Sequence, residues 1–319
     1  MAQKSLQRKK GIGCLTVALI VIFIPVVLLG GFIFFATADL RRSDEDILKT
    51  YQPSPEIAEI AEKNTLTDHG KATLYRTEPL LVDAKSYVKF CQTIARGIEP
   101  LACNAPKPGG GPFGGREIFL LKIDDVRFAD HKYAAAVHEM LHTAYGRLSS
   151  DEKKRLTPLL EQELSKHGDD TYLLSVLDTM KQRKNSQDDI LNELHSKFGV
   201  EFSDLSVGLE DYYKQYFTNR QKVVELFQNG GFDSRARRMD EISYELKTLA
   251  PKLTSLQNQL TAYQNAGDMT SYNNLVGQFN SMVYQYNAKA AESQRIYAEI
   301  QQFYNYFKPG YTPPEKQKQ

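Results

Sequence analysis

AAAVHEMLHTAYG, residues 134 to 146, places two histidines four apart with a glutamate directly after the first. Nothing between Asp130 and Leu148 breaks a helix except the late Gly146, and alanines fill its middle. The spacing therefore predicts one helix carrying His138, Glu139 and His142. Side chains four apart on a helix stack on one face. Two imidazoles stacked in this way reach a single zinc ion at about 2.0 to 2.1 Å, while Glu139, one position round, lies beside the metal rather than on it. Its carboxylate is placed to accept a proton from a water activated by the metal, so the residues point to metal-assisted hydrolysis. A chain of this composition, with six histidines, produces the pattern by chance about 0.01 times. The uncharged neighbours Ala136, Val137, Met140, Leu141, Thr143 and Ala144 suit a helix buried around a metal.

The stretch resembles the zincin metallopeptidases, which share His-Glu-x-x-His on an active-site helix. Their metzincin branch adds Gly three residues after the second histidine and His three beyond that, where this chain has Tyr145 and Leu148. Register excludes that branch. Downstream, SQDDILNELHSKFG, residues 186 to 199, predicts a second helix, capped by Ser186 with Asp189 three later and ending at Gly199. It offers two candidate third ligands, Glu193 and His195. They are about 200° apart on the helix and cannot both reach one metal, and the apolar face of Ile190, Leu191, Leu194 and Phe198 is flanked by both. The order NELHS is similar to the Asn-Glu-x-x-Ser-Asp motif of the gluzincins, in which the glutamate completes the zinc site, and the resemblance thus implies Glu193. The chain departs from that motif at Lys197, where the pattern has aspartate, and in the 51 residues that separate His142 from Glu193. Zinc is the cofactor implied, and a peptide or protein the substrate. An electrophile for the carbonyl oxygen is sought in LEDYYKQYFTNRQKVVELF, residues 209 to 227, read as one helical apolar band, with Tyr212, Tyr213, Tyr216 and Arg220 as candidates.

The strongest departure from average composition is GIGCLTVALIVIFIPVVLLGGFIFFATA, residues 11 to 38, uncharged and longer than the roughly 20 apolar residues that span a bilayer. Lys4, Arg8, Lys9 and Lys10 precede it, and Arg41 and Arg42 give way at once to Asp44, Glu45 and Asp46. The positive-inside bias predicts a cytoplasmic N-terminus and an exported remainder. A cleaved signal peptide, suggested by Ala36-Thr37-Ala38, is the other reading, but the apolar run is too long for one. With Cys14 at the membrane, Cys91 and Cys103 are the one pair available for a disulfide in an oxidising compartment. Lys and Arg total 40 against 39 acidic residues, a balance that gives no field for nucleic acid.

Between these features, SPEIAEIAEKN predicts a short helix capped by Ser54, KATLYRTEPLLV a strand, DAKSYVKFCQTIARG a helix with Tyr87, Phe90, Cys91 and Ile94 on one side, and REIFLLKI a strand. KPGGGPFGG, residues 107 to 115, lacks the Gly-Lys-Ser/Thr of a phosphate loop and reads as a surface loop. SSDEKKRLTPLLEQELSKH opens with the capping box Ser149 and Glu152, with Pro158 kinking or restarting a solvated helix. After residue 232, Met239, Ile242, Leu246, Leu249, Leu253, Leu256, Leu260 and Tyr263 alternate spacings of three and four, a heptad seam with Pro251 on its outer face. A second series runs from Tyr272 to Phe307, interrupted by Lys289 and Ser293, beyond a short turn at Gly267-Asp268. Two such arms predict an antiparallel hairpin about 45 to 55 Å long, a spacer or an arm for a partner or self-association.

The expected architecture is α+β and predominantly helical, with a zincin-like domain around a short sheet. It comprises a cytoplasmic N-terminus (1–10), a transmembrane anchor (11–38), a juxtamembrane stalk (39–70), the metallopeptidase domain (71–229), the coiled-coil hairpin (233–307) and a disordered tail (308–319). The competing functional reading is a non-catalytic cell-envelope interaction protein built on the hairpin, with an inactive zincin-like domain.

Overall fold

Serine and threonine caps set the first elements. Ser43, Ser54 and Thr67 each turn a side-chain oxygen to the amide three residues on, starting α1 (Asp44–Thr50), α2 (Pro55–Lys63) and α3 (Asp68–Tyr75). The structure, a computed structural model, describes residues 42–305 apart from 92–100, 108–114, 126, 127, 129 and 231. The segment expected to span a membrane, the N-terminus before it and the tail at 308–319 lie outside the described residues. No helix among the described residues is long and apolar enough to cross a membrane.

Ile47, Ile57, Ile60, Ala72 and Leu74 are all buried in the main core, so from Ser43 onward the segment expected as a stalk is packed into the body. The strand expected from KATLYRTEPLLV is helical up to Tyr75, because the Thr67 cap starts a helix whose Ala72, Leu74 and Tyr75 side chains pack into that core. Only Leu80–Val82 forms a strand, β1. Then come α4 (Ala84–Cys91), β2 (Ala102–Pro106) and β3 (Arg116–Leu121). The sheet order is β1-β3-β2, with β3 parallel to β1 and antiparallel to β2. Lys107 N–H donates to Gly115 O at 2.9 Å, so the glycine run joins two hairpin strands. Cys91, at the end of α4, is bonded to Cys103 in β2, with Cα atoms 6.0 Å apart.

The motif helix α5 (His131–Arg147) follows, burying Ala136, Val137, Met140 and Leu141 completely. Next are α6 (Ser150–Lys166), continuous through Pro158, α7 (Thr171–Gln182) and α8 (Gln187–Val200). The single band expected at residues 209–227 is two helices, α9 (Val207–Tyr213) and α10 (Arg220–Gly230). The break falls where Thr67 and Thr218 amides pair with the carbonyls of Tyr216 and Thr65, so the chain there pairs with the turn before α3 instead of continuing the helix.

Gly199 does not end its helix. A Cβ there would meet Leu141 Cδ1 at 2.3 Å and Tyr213 Cε1 at 3.1 Å, so glycine lets α8 lie directly against α5. The hairpin has arms α11 (Phe232–Asn265) and α12 (Met269–Tyr304), joined at Gly267 with φ 72°. Its antiparallel pairing is fixed by Arg235 with Glu299, Arg238 with Glu292, and Lys289 with Glu245. The two polar interruptions of the seam are thereby explained: Lys289 pairs across it, and Ser293 Oγ lies 3.6 Å from Met239 Sδ. Phe303 packs edge-on to Phe128 within a second core formed by the disulfide and the outer side of the sheet, tying the end of α12 to the body.

Gly199→Ala is expected to destabilise the protein by about 1 to 3 kcal/mol through overpacking. Gly146→Ala, on the open face near the end of α5 with nothing near its Cβ, is expected to stabilise it by up to about 1 kcal/mol. Urea unfolding midpoints of the two variants check both, and equal effects contradict the close helix approach.

Candidate metal centre

The closeness of α8 to α5 brings Glu193 over the two histidines. His138 Nε2 and His142 Nε2 are 3.1 Å apart, and the Glu193 carboxylate oxygens lie 4.0 Å from the first and 3.5 Å from the second. Donors bound to one metal at about 2.0 to 2.1 Å in a tetrahedron are spaced about 3.3 to 3.4 Å from each other; the two imidazole nitrogens are close to that spacing, and Glu193 offers a different oxygen to each histidine. Each of these side chains keeps about a fifth of its surface exposed, enough for a small ligand to reach the cluster.

The ligand tautomer is set from α8. His142 Nδ1 donates to Asn192 Oδ1 at 3.1 Å, which leaves the Nε2 lone pair facing the centre. Burial, followed by His142, holds His138 well below the ordinary imidazole value, at about 3. Two imidazole nitrogens facing at 3.1 Å beside a carboxylate make a donor set suited to a cation. Burial pushes the Glu193 carboxyl up, but the charges around it, the Lys197 ammonium first among them, outweigh this and hold it below its usual range.

Glu139 belongs to the same cluster, with its carboxylate oxygen and the two imidazole nitrogens within 4.8 Å of one another. It stands about 100° round the helix from His138 and approaches from the side, whereas Glu193 arrives from the facing helix as the other candidate carboxylate. Strand β2 steadies this part of α5. Asn104 Nδ2 donates to Thr143 Oγ1 at 2.6 Å and to the Glu139 carbonyl at 3.3 Å, and Arg116 Nε donates to Asn104 Oδ1 at 2.8 Å.

The other candidates separate clearly. His195 points away into the core, its Nε2 3.0 Å from Tyr212 OH, and burial lowers it to about 3. Tyr213 donates to the His195 carbonyl at 2.6 Å. Arg220 is buried, donating to the carbonyls of Phe198 and Phe202 and pairing with Glu210, which commits it to holding the loop after α8. Tyr216 is buried, with its hydroxyl 3.4 Å from that of Tyr212, and of the four only Tyr212 is partly exposed. A cleft of about 640 Å³ at the base of the hairpin is lined by none of His138, Glu139, His142 and Glu193.

Sequence reasoning missed Asn104 and Glu201 as neighbours of this cluster, and it met Asn192 and Lys197 only as motif positions, without their contacts. Asn104 carries no local signal, but Glu193, Lys197 and Glu201 recur every fourth residue with alternating sign, a pattern readable as one helix face. Comparison with protein-family models, with curated proteins and with solved structures gives no match for the chain.

Glu193→Ala is expected to lose most bound zinc, while His195→Ala keeps it, as read by metal content after gel filtration. The reverse order contradicts the ligand assignment.

Proposed function

We propose that the chain is a membrane-anchored zinc metallopeptidase of gluzincin type, hydrolysing peptide bonds outside the cytoplasm. The observation that carries the reading is the meeting of His138, His142 and Glu193 at ligand-like separations with Glu139 beside them. Two imidazoles and one carboxylate leave a fourth position open, as catalytic zinc sites do. Bound there, zinc supplies a Lewis acid that polarises the peptide carbonyl and lowers the pKa of water to about 7.

The chain's own residues do the rest. Glu139 takes a proton from the attacking water as its oxygen bonds to the carbonyl carbon, then passes that proton to the leaving nitrogen as the C–N bond breaks. His138 and His142 present their Nε2 atoms to the site, the second oriented by the contact of its Nδ1 with Asn192. Tyr212, oriented by His195 and partly exposed, is the candidate donor to the carbonyl oxygen.

The disulfide between Cys91 and Cys103 supports an oxidising compartment, and the apolar run at 11–38 with its basic N-terminal flank supports a single-pass anchor with the N-terminus inside.

Glu139→Gln is expected to retain zinc and lose hydrolysis of a peptide library by at least about 100-fold, because an amide cannot accept the proton. Full activity in that variant contradicts the mechanism, and a wild-type chain with zinc but no hydrolysis favours the non-catalytic alternative. For topology, a protease added outside intact cells is expected to digest the body and spare an N-terminal tag, and a digested tag with an intact body reverses the orientation.

A further inference from the structure

Beyond the metal centre, the face of α8 continues into charges that have no part in the proposed hydrolysis. Lys197 Nζ lies 3.8 Å from Glu193 Oε1 and 2.8 Å from Glu201 Oε1. The Glu201 carboxylate, at the C-terminal cap of α8, has its other oxygen 3.5 Å from Arg237 Nη1, and Arg237 belongs to the hairpin. The Lys197 and Glu201 side chains keep only 6% and 3% of their surface exposed, so neither is a solvated surface charge.

Arg237 is held as firmly as it holds. It pairs with Asp170, which caps α7, and with Glu241 one turn along its own helix. Its guanidinium lies 4.8 Å from the Phe202 ring centre and 5.9 Å from that of Tyr172, and the same Tyr172 ring carries Lys197 Nζ at 4.9 Å. Two cations from different parts of the chain thus share one carboxylate and one aromatic ring. Buried pairs of this kind add little net stability over apolar packing, but losing one member leaves its partner uncompensated. Without Arg237, the second Glu201 oxygen loses its guanidinium partner, the carboxylate is less firmly placed, and the ammonium it holds shifts relative to Glu193. Residues that orient a metal ligand from behind commonly matter about 10- to 100-fold to metal affinity.

We propose that Arg237 is a positioning residue for the metal centre: from the hairpin it fixes Glu201, which holds Lys197 against the Glu193 carboxylate. The inference rests on the metal site proposed above. It makes the hairpin part of the site's support, so that a displacement of the hairpin base changes the metal ligand.

The test is zinc affinity of the full-length chain in detergent, measured by chelator competition, with thermal unfolding alongside. Lys197→Met is expected to weaken zinc binding about 10-fold or more, and Arg237→Gln and Glu201→Gln each by about threefold to tenfold. Arg237→Lys, which keeps a cation near Glu201, is expected to recover most of the loss. In the Lys197→Met background, Arg237→Gln is expected to add no further loss of zinc affinity while still lowering the unfolding temperature. Wild-type zinc affinity in folded Arg237→Gln and Glu201→Gln, or losses that simply add to that of Lys197→Met, overturns the inference and leaves the metal site standing. A wild-type chain that binds no zinc overturns both.

Discussion

The contact of α8 with α5 at Gly199 governs the geometry of the centre. Any side chain at 199 would have to displace the tip of the fully buried Leu141 and crowd the Tyr213 ring, so glycine keeps the packing of the two helices as it is. That packing carries Glu193 to within reach of both imidazoles and puts Asn192 beside His142, so one helix contact brings both residues to the cluster. Tyr145, donating to Asp188 at 3.0 Å, ties the far ends of the same two helices. The candidate ligands are therefore presented by helices rather than by loops.

Placing ionisable groups inside a helical body is costly unless each is paired, and the structure meets this with interlocked charges. Arg220 is surrounded by carbonyls and Glu210, and Glu163 accepts from the Ser206 amide at 2.8 Å and pairs with Lys166. Lys197 is held above its ordinary value: burial pulls it down, but Glu201, Tyr172 and Glu193 more than compensate. A lysine at the position where the gluzincin pattern has aspartate then acquires a physical reason. It offers Glu193 a cationic partner from behind, and the charge it brings is balanced by Glu201 and, through it, by the hairpin.

The features legible in the sequence were those carried by local rules. The motif helix, the cap at Ser186, the strand β3 and the heptad seam followed from periodicity and capping, and the hairpin's buried positions match the seam. What failed was decided by distant parts of the chain. The segment before residue 70 looked like a stalk because its helices are short and polar outside, yet Ile57 and Ile60 are buried by packing that sequence spacing does not show. The apolar band at 209–227 has unbroken helical periodicity, and only its pairing with the turn at Thr65 to Thr67 breaks it. Gly199 looked like a helix stop, since a glycine needed for close approach and one needed for a cap are the same letter. Asn104 is a strand residue whose role depends on a helix 35 positions later.

Zinc K-edge X-ray absorption on the full-length chain, loaded with one equivalent of the metal, tests the central claim most directly. The account predicts a nitrogen and oxygen shell at about 2.0 to 2.1 Å, with the multiple-scattering signature of two imidazoles and no sulfur. A third imidazole or a sulfur ligand in the spectrum, or zinc left entirely in bulk solution, contradicts it.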